Sequence, residues 1–103
     1  MRGFALHPRA FADLEEIWEY IAADSLDSAD GVLEEIYKTI RSLGPFPQVG
    51  HIRSDLTSKP VRFQPVRDFL IAYAPDERPL VVMAVLYGRR NPRVMAAILR
   101  KRD

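Results

Sequence analysis

The stretch "LVVMAVLY", Leu80 to Tyr87, is apolar throughout, and Pro79 and Gly88 bracket it. It is far short of the ~18 residues a membrane span needs. A continuous apolar run of this length, set between two chain breakers, predicts a strand covered on both faces. A strand of that kind cannot hold an arginine inside, because an unpaired buried charge is too costly. Arg89 and Arg90 follow at its end, where the chain leaves the interior.

The first part of the chain offers helices to cover such a strand. "GFALH", Gly3 to His7, reads as a brief strand. Pro8 disfavours a helical His7 and suits a first helical position. Phe11, Leu14, Ile17, Trp18 and Ile21 then recur at three- and four-residue spacings, with Asp13, Glu15, Glu16 and Glu19 between them. The pattern predicts an amphipathic helix with an acidic outer face. Asp13 is placed as a first-turn acid, favoured by the helix dipole. "ADSLDSAD" interrupts the period, and Asp27 or Ser28 can cap a second helix. Its stripe is Ala29, Leu33, Ile36, Ile40 and Leu43, and Gly44-Pro45 stops it, the glycine suiting a left-handed cap. So short a connection predicts an antiparallel helix hairpin. Neither helix can bury its stripe alone, so another layer is required.

Residues 44–60, "GPFPQVGHIRSDLTSKP", form a long loop. In "VRFQPV", Val61 and Phe63 alternate with Arg62 and Gln64, as in a half-buried strand, and Pro65 marks an edge or a bulge. "DFLIAYA" is a second strand with Phe69, Ile71 and Tyr73 on one side, and "PDERP" is a turn. After the apolar strand, Asn91 can cap and Pro92 can open a last helix carrying Val94, Met95, Ile98 and Leu99. "LRKRD" is expected to be a solvated, frayed tail. The fold class is α+β: a helix hairpin packed on a small, twisted, mainly antiparallel sheet, in the order β-α-α-β-β-β-α. At 103 residues a single domain over 1–103 is expected.

Charge divides along the chain. Residues 1–50 carry 4 Lys/Arg and 9 Asp/Glu, or 4 − 9 = −5; residues 51–103 carry 11 and 5, or 11 − 5 = +6. The second half should therefore build a cationic sheet surface, left uncovered for an anionic partner. Arg53, Arg62, Arg67, Arg89, Arg90 and Arg93 are the candidate anion-binding residues, since guanidinium forks bind phosphate or carboxylate in pairs. Phe69, Tyr73 and Tyr87 are interleaved with them, and such rings can stack on bases. Glycine-rich phosphate loops, HExxH and the nucleophile elbow are absent from the sequence. His7 and His51 lack the spacing of a metal pair, and there is no cysteine. No metal and no cofactor are expected. Without an apolar signal segment, a cytoplasmic protein with no membrane association is the expectation.

Four stretches, in order, resemble the RelE/ParE toxin superfamily of bacterial type II toxin–antitoxin systems. "ALHPRAFADLEEIWEYIA" is similar to its opening. "SLGPFPQVGHIRSDL" is similar to its "L-x-x-x-P-x-x-G-x-x-R-x-x-L" loop. "VRFQPVRDFLIAYAPD" is similar to its strand pair, and "VVMAVLYGRRN" to its last strand and exit. Within the superfamily the chain looks more like the ParE branch, whose members are reported to act on DNA gyrase.

The resemblance implies a toxin that works by binding rather than catalysis and is neutralised by a cognate antitoxin. That antitoxin would be a protein partner whose tail folds onto the helix hairpin and sheet edges, covering apolar surface that makes the isolated chain poorly soluble. Two alternatives stay open. One is a RelE-type, ribosome-dependent endoribonuclease that cleaves messenger RNA through its 2′-OH, without metal. In that case Lys59 would act near the proton-accepting role, Arg62 and Arg89 would hold phosphate, and Tyr87 or Arg90 would assist the leaving oxygen. Tyr87 stands where many relatives carry histidine. The other alternative is a non-toxic module that only binds an antitoxin.

Overall fold

The computed structural model describes residues 3–102. Its elements are β1 (Phe4–Leu6), α1 (Pro8–Ala22), α2 (Leu26–Leu43), β2 (Arg62–Val66), β3 (Phe69–Ala74), β4 (Leu80–Tyr87) and α3 (Pro92–Arg100). The four strands form one mixed sheet in the order β1-β4-β3-β2. β1 runs parallel to β4, whereas the β2–β3 and β3–β4 pairs are antiparallel. The apolar run is thus an inner strand, as its composition requires, and Pro65 sits on edge strand β2. No helix among the described residues is long and apolar enough to cross a membrane.

β4 meets a different layer on each face, and one residue explains how. Ala72 pairs with Ala84 and Tyr73 with Val82, so Met83 is an extra residue in the ladder. Such a bulge shifts the alternation by one. Leu80, Val82 and Val85 face the α1–α2 hairpin, together with Phe69, Ile71 and Tyr73. Ala84 and Leu86 face the other way, with Phe63, Leu70 and Ala72, against Met95 and Leu99 of α3 and against Leu56 and Val61 of the loop. Burying each of these larger aliphatic side chains contributes about 1.5–3 kcal/mol. The expectation of an uncovered sheet is therefore corrected: α3 and residues 44–61 cover its second face.

Local chemistry sets the helix boundaries. His7 caps α1, its Nδ1 accepting from the Arg9 N–H at 3.0 Å, with Pro8 in the first turn. The buried stripe of α1 is Ala10, Leu14 and Ile17; Phe11, assigned to that stripe, lies beside it and is 50% exposed. The cap of α2 is Ser25, not Asp27 or Ser28: its Oγ accepts from the Ser28 N–H at 3.1 Å. Asp27 falls instead in the first turn, where an acid suits the dipole. Gly44 ends α2 in a right-handed conformation, so no left-handed cap is needed there. Trp18 Nε1 donates to Asp30 Oδ1 at 2.8 Å and ties α1 to α2.

The most consequential departure joins the two ends of the chain. β1 covers only Leu80–Val82 of β4, and the His7 N–H reaches the Val82 carbonyl at 2.9 Å. Beyond that point the same edge of β4 has no strand beside it among the described residues. Asp13 accepts from the Val85 N–H at 2.9 Å, while Arg102 donates to the Met83 carbonyl at 3.3 Å. Asp13 and Arg102 also pair with each other through two hydrogen bonds, of 2.5 and 3.0 Å. Asp13 is thus neither a first-turn acid nor part of a solvated face. The tail is not frayed at Arg102, which is 7% exposed; Asp103 lies outside the described residues.

Candidate macromolecular interface

The exit of β4 is built to present arginines. The Gly88 N–H donates to the Asp68 carbonyl at 2.8 Å, and a Cβ on Gly88 would stand 3.3 Å from that oxygen. A turn follows, closed by the Arg90 N–H on the Tyr87 carbonyl at 3.0 Å. Asn91 then caps α3 by accepting from the Arg93 N–H at 2.8 Å. These constraints leave Arg89, Arg90 and Arg93 exposed. The Arg90 guanidinium lies over the Tyr87 ring, 5.6 Å from its centroid, and Tyr87 itself packs on Phe69 at 5.2 Å. The ring therefore steers Arg90 through its electron-rich face. None of the three arginines has an ion-pair partner among the described residues.

The other candidate arginines are committed elsewhere. Arg53 pairs with Asp55 through bonds of 2.9 and 2.8 Å, which hold the Asp55 carboxyl below its ordinary range. Arg67, at φ 53 in the β2–β3 turn, bonds Glu35 of α2 at 2.6 Å, which raises its pKa further. Arg62 Nη1 donates to the Gly50 carbonyl at 2.7 Å. The six arginines thus divide into an open group at the β4 exit and three that hold the chain's own groups.

Arg62 belongs to a network that fixes the long loop. Tyr73, with no exposed surface, accepts from the Gly50 N–H at 2.9 Å and donates to the Pro47 carbonyl at 2.7 Å. A Cβ at Gly50 would lie 2.6 Å from the Tyr73 Oη, so only glycine fits. Burial raises the Tyr73 pKa, with the Gly50 N–H and the Arg62 charge opposing. The pinned loop exposes Phe46, Val49 and Ile52.

The residues proposed for RNA cleavage do not converge. Arg62 pairs with Tyr73 and Tyr87 with Phe69. Those two partners stand at opposite ends of β3, roughly 13 Å apart along the strand. Arg62 and Tyr87 are separated further by lying on opposite sides of β3. Lys59 is on the α3 side, lining a cleft of about 340 Å³ with Val61, Val81 and Met83. Its Nζ donates to the Arg102 carbonyl at 3.0 Å. A phosphodiester would need a base, a cationic clamp and a proton donor around one phosphorus, and these side chains are dispersed.

A second cationic feature lies between the start of α1 and α3. Arg9, Arg93, Val94, Ala97, Ile98 and Lys101 surround a cleft of about 390 Å³, with Arg102 at its inner wall. Arg9 was not among the candidates because nothing in the linear sequence joins position 9 to 93–101. Asp13 and Arg102 did leave a trace. Asp13 falls on the Ala10–Leu14–Ile17 stripe, and Arg102, just past the end of α3, continues the Met95–Leu99 spacing, so each charge extends a buried stripe.

A family model described as "ParE toxin of type II toxin-antitoxin system, parDE" matches residues 4–92. No curated protein matches the sequence.

Proposed function

The chain belongs to the ParE toxin family of type II toxin–antitoxin systems, and from that premise we propose that it arrests growth by binding DNA gyrase and is neutralised by a cognate antitoxin. The observation that carries this reading is the turn at Arg89 and Arg90: two exposed cations with no acidic partner among the described residues, mounted on the end of a buried strand. A rigid base matters because charges held in place lose less freedom on docking. Cations left without partners also steer the protein towards an acidic or nucleic-acid-bearing target.

Binding is favoured over RNA cleavage by the dispersal of Lys59, Arg62 and Tyr87 over two faces and two ends of the sheet. Phe46, Val49 and Ile52, exposed on a loop anchored by Tyr73, add apolar surface suited to a protein partner.

The test is inducible expression in a bacterium, with and without the product of the adjacent reading frame. Growth arrest, a DNA-damage response, intact messenger RNA and rescue by the neighbour are expected. Arg89→Glu/Arg90→Glu should abolish the arrest. Normal growth on induction of the unaltered chain would contradict the toxin assignment, and fragmented messages would move it to the ribonuclease reading.

A further inference from the structure

Helix α3 turns a cationic side to solvent. Met95 and Leu99 hold its inner side against the sheet. Arg93, Ala97, Arg100 and Lys101 are spaced so that they share the outward side. The three charged residues among them are exposed. Arg9 of α1, also exposed, borders the cleft that Arg93 and Lys101 line. None of these four cations has an ion pair among the described residues.

The segment that builds this ridge is of one sign. Residues 88–102 hold 6 Lys/Arg and no Asp/Glu, and within it Asp13 neutralises Arg102. Acids are exposed elsewhere: Glu15, Glu19, Asp27 and Glu34 lie on α1 and α2, which pack on the other face of the sheet. Opposite charge on opposite sheet faces orients the molecule in the field of a polyanion, with α3 leading.

The shape of the ridge indicates which polyanion. Arg93 and Lys101 are separated by roughly 12 Å along the helix axis. That reach matches the width of a DNA major groove, about 12 Å, so the two ends can meet phosphates on either side of it. Ala97 is small, so a phosphate backbone can come close to the helix between the cations. An apolar protein segment would need larger side chains there. Val94, 45% exposed, stands off that side with Ile98 in the cleft.

We propose that the outer side of α3 holds the phosphate backbone of duplex DNA, through Arg93, Arg100 and Lys101 with Arg9 beside them, irrespective of base sequence. The source of the duplex rests on the gyrase reading above: it is the DNA on which that enzyme acts. Arg89 and Arg90 then face the enzyme while α3 grips its DNA, and the chain bridges the two. Phosphate contacts position a protein without reading sequence, which suits a target that acts on DNA of any sequence.

The experiment is a fluorescence-anisotropy titration of the purified chain on a short random-sequence duplex, with poly-glutamate as a second probe. Four phosphate contacts predict that affinity falls on the order of 100-fold between about 50 and about 200 mM salt. Arg100→Gln/Lys101→Gln should roughly halve the slope of log affinity against log salt. Its thermal midpoint should not move, since both side chains are exposed. Lys38→Gln/Arg41→Gln removes the same charge from exposed positions on α2 and should leave the slope unchanged. No duplex binding at about 50 mM salt overturns the proposal. Equal losses in the two double variants reduce the effect to net charge and overturn it, as does poly-glutamate bound more tightly than the duplex, which assigns the ridge to an acidic protein. The gyrase reading is judged separately, by supercoiling of a relaxed plasmid. Duplex binding as expected with supercoiling intact upholds the ridge and overturns the gyrase reading; supercoiling blocked without duplex binding overturns the ridge alone.

Discussion

Asp13 and Arg102, 89 residues apart, form a two-bond ion pair that replaces a strand along the open edge of β4. Their side chains are 15% and 8% exposed. Asp13 takes the Val85 N–H and Arg102 gives to the carbonyl of the bulged Met83, so the pair satisfies backbone that β1 is too short to reach. The same contact fastens the chain's C-terminal segment to its first helix.

Breaking that pair one partner at a time should be costly. Asp13→Ala or Arg102→Ala leaves a buried charge and orphaned backbone groups, and each should lower stability by about 3–5 kcal/mol. The double variant should cost much less than the sum. Urea unfolding of the four proteins measures the coupling, and additive losses would show that the pair does not act as a unit.

The loop is held by a different device. Tyr73→Phe keeps the ring but leaves the Gly50 N–H and the Pro47 carbonyl unpaired, a loss of about 1–3 kcal/mol. Gly50→Ala places a methyl 2.6 Å from the Tyr73 Oη and should cost about 1–3 kcal/mol by overpacking. Proteolysis within residues 44–51 should accelerate in both variants. Unchanged cleavage there would show that Tyr73 does not anchor the loop.

Alkaline pH supplies a third test. Burial raises the pKa of Tyr73, and of Tyr37, above the ordinary 10.0. The folded chain then keeps protons that the unfolded chain loses. The sign follows: this stabilisation is complete below pH 10 and is lost as pH rises through the raised folded values. Urea midpoints between about pH 8 and about pH 11 should fall for the unaltered chain and fall less steeply for Tyr73→Phe. Parallel curves would remove Tyr73 as a cause.

Much of this architecture was legible because patterning and punctuation agreed. The run Leu80–Tyr87 marked an inner strand, Asn91-Pro92 marked the start of α3, and Pro65 marked an edge. Capping at Ser25 was missed because three plausible caps occur within four residues, and packing of the Ala29–Ile36 stripe chose among them. The covered second face was missed because Leu56 belongs to a loop with no period to read, and the alternation of Val61 and Phe63 marks a buried side without naming what packs on it. Asp13 and Arg102 were read as surface charges by residue type, although Asp13 lies on the buried stripe of α1 and Arg102 continues the spacing of the α3 stripe just past the helix. Of the six candidate arginines, linear sequence could not distinguish those with partners from those without. Asp55 is two residues from Arg53, but Glu35 reaches Arg67 across 32 residues and only through the fold.

The central claim, that the exposed Arg89–Arg90 turn binds DNA gyrase, is tested most directly by titrating purified chain into gyrase supercoiling a relaxed plasmid, with no ribosome present. The account predicts that supercoiling stops in proportion to added chain, that Arg89→Glu/Arg90→Glu loses the effect while keeping its thermal midpoint, and that the adjacent-frame protein restores supercoiling. Full supercoiling at a large excess of the unaltered chain would contradict it.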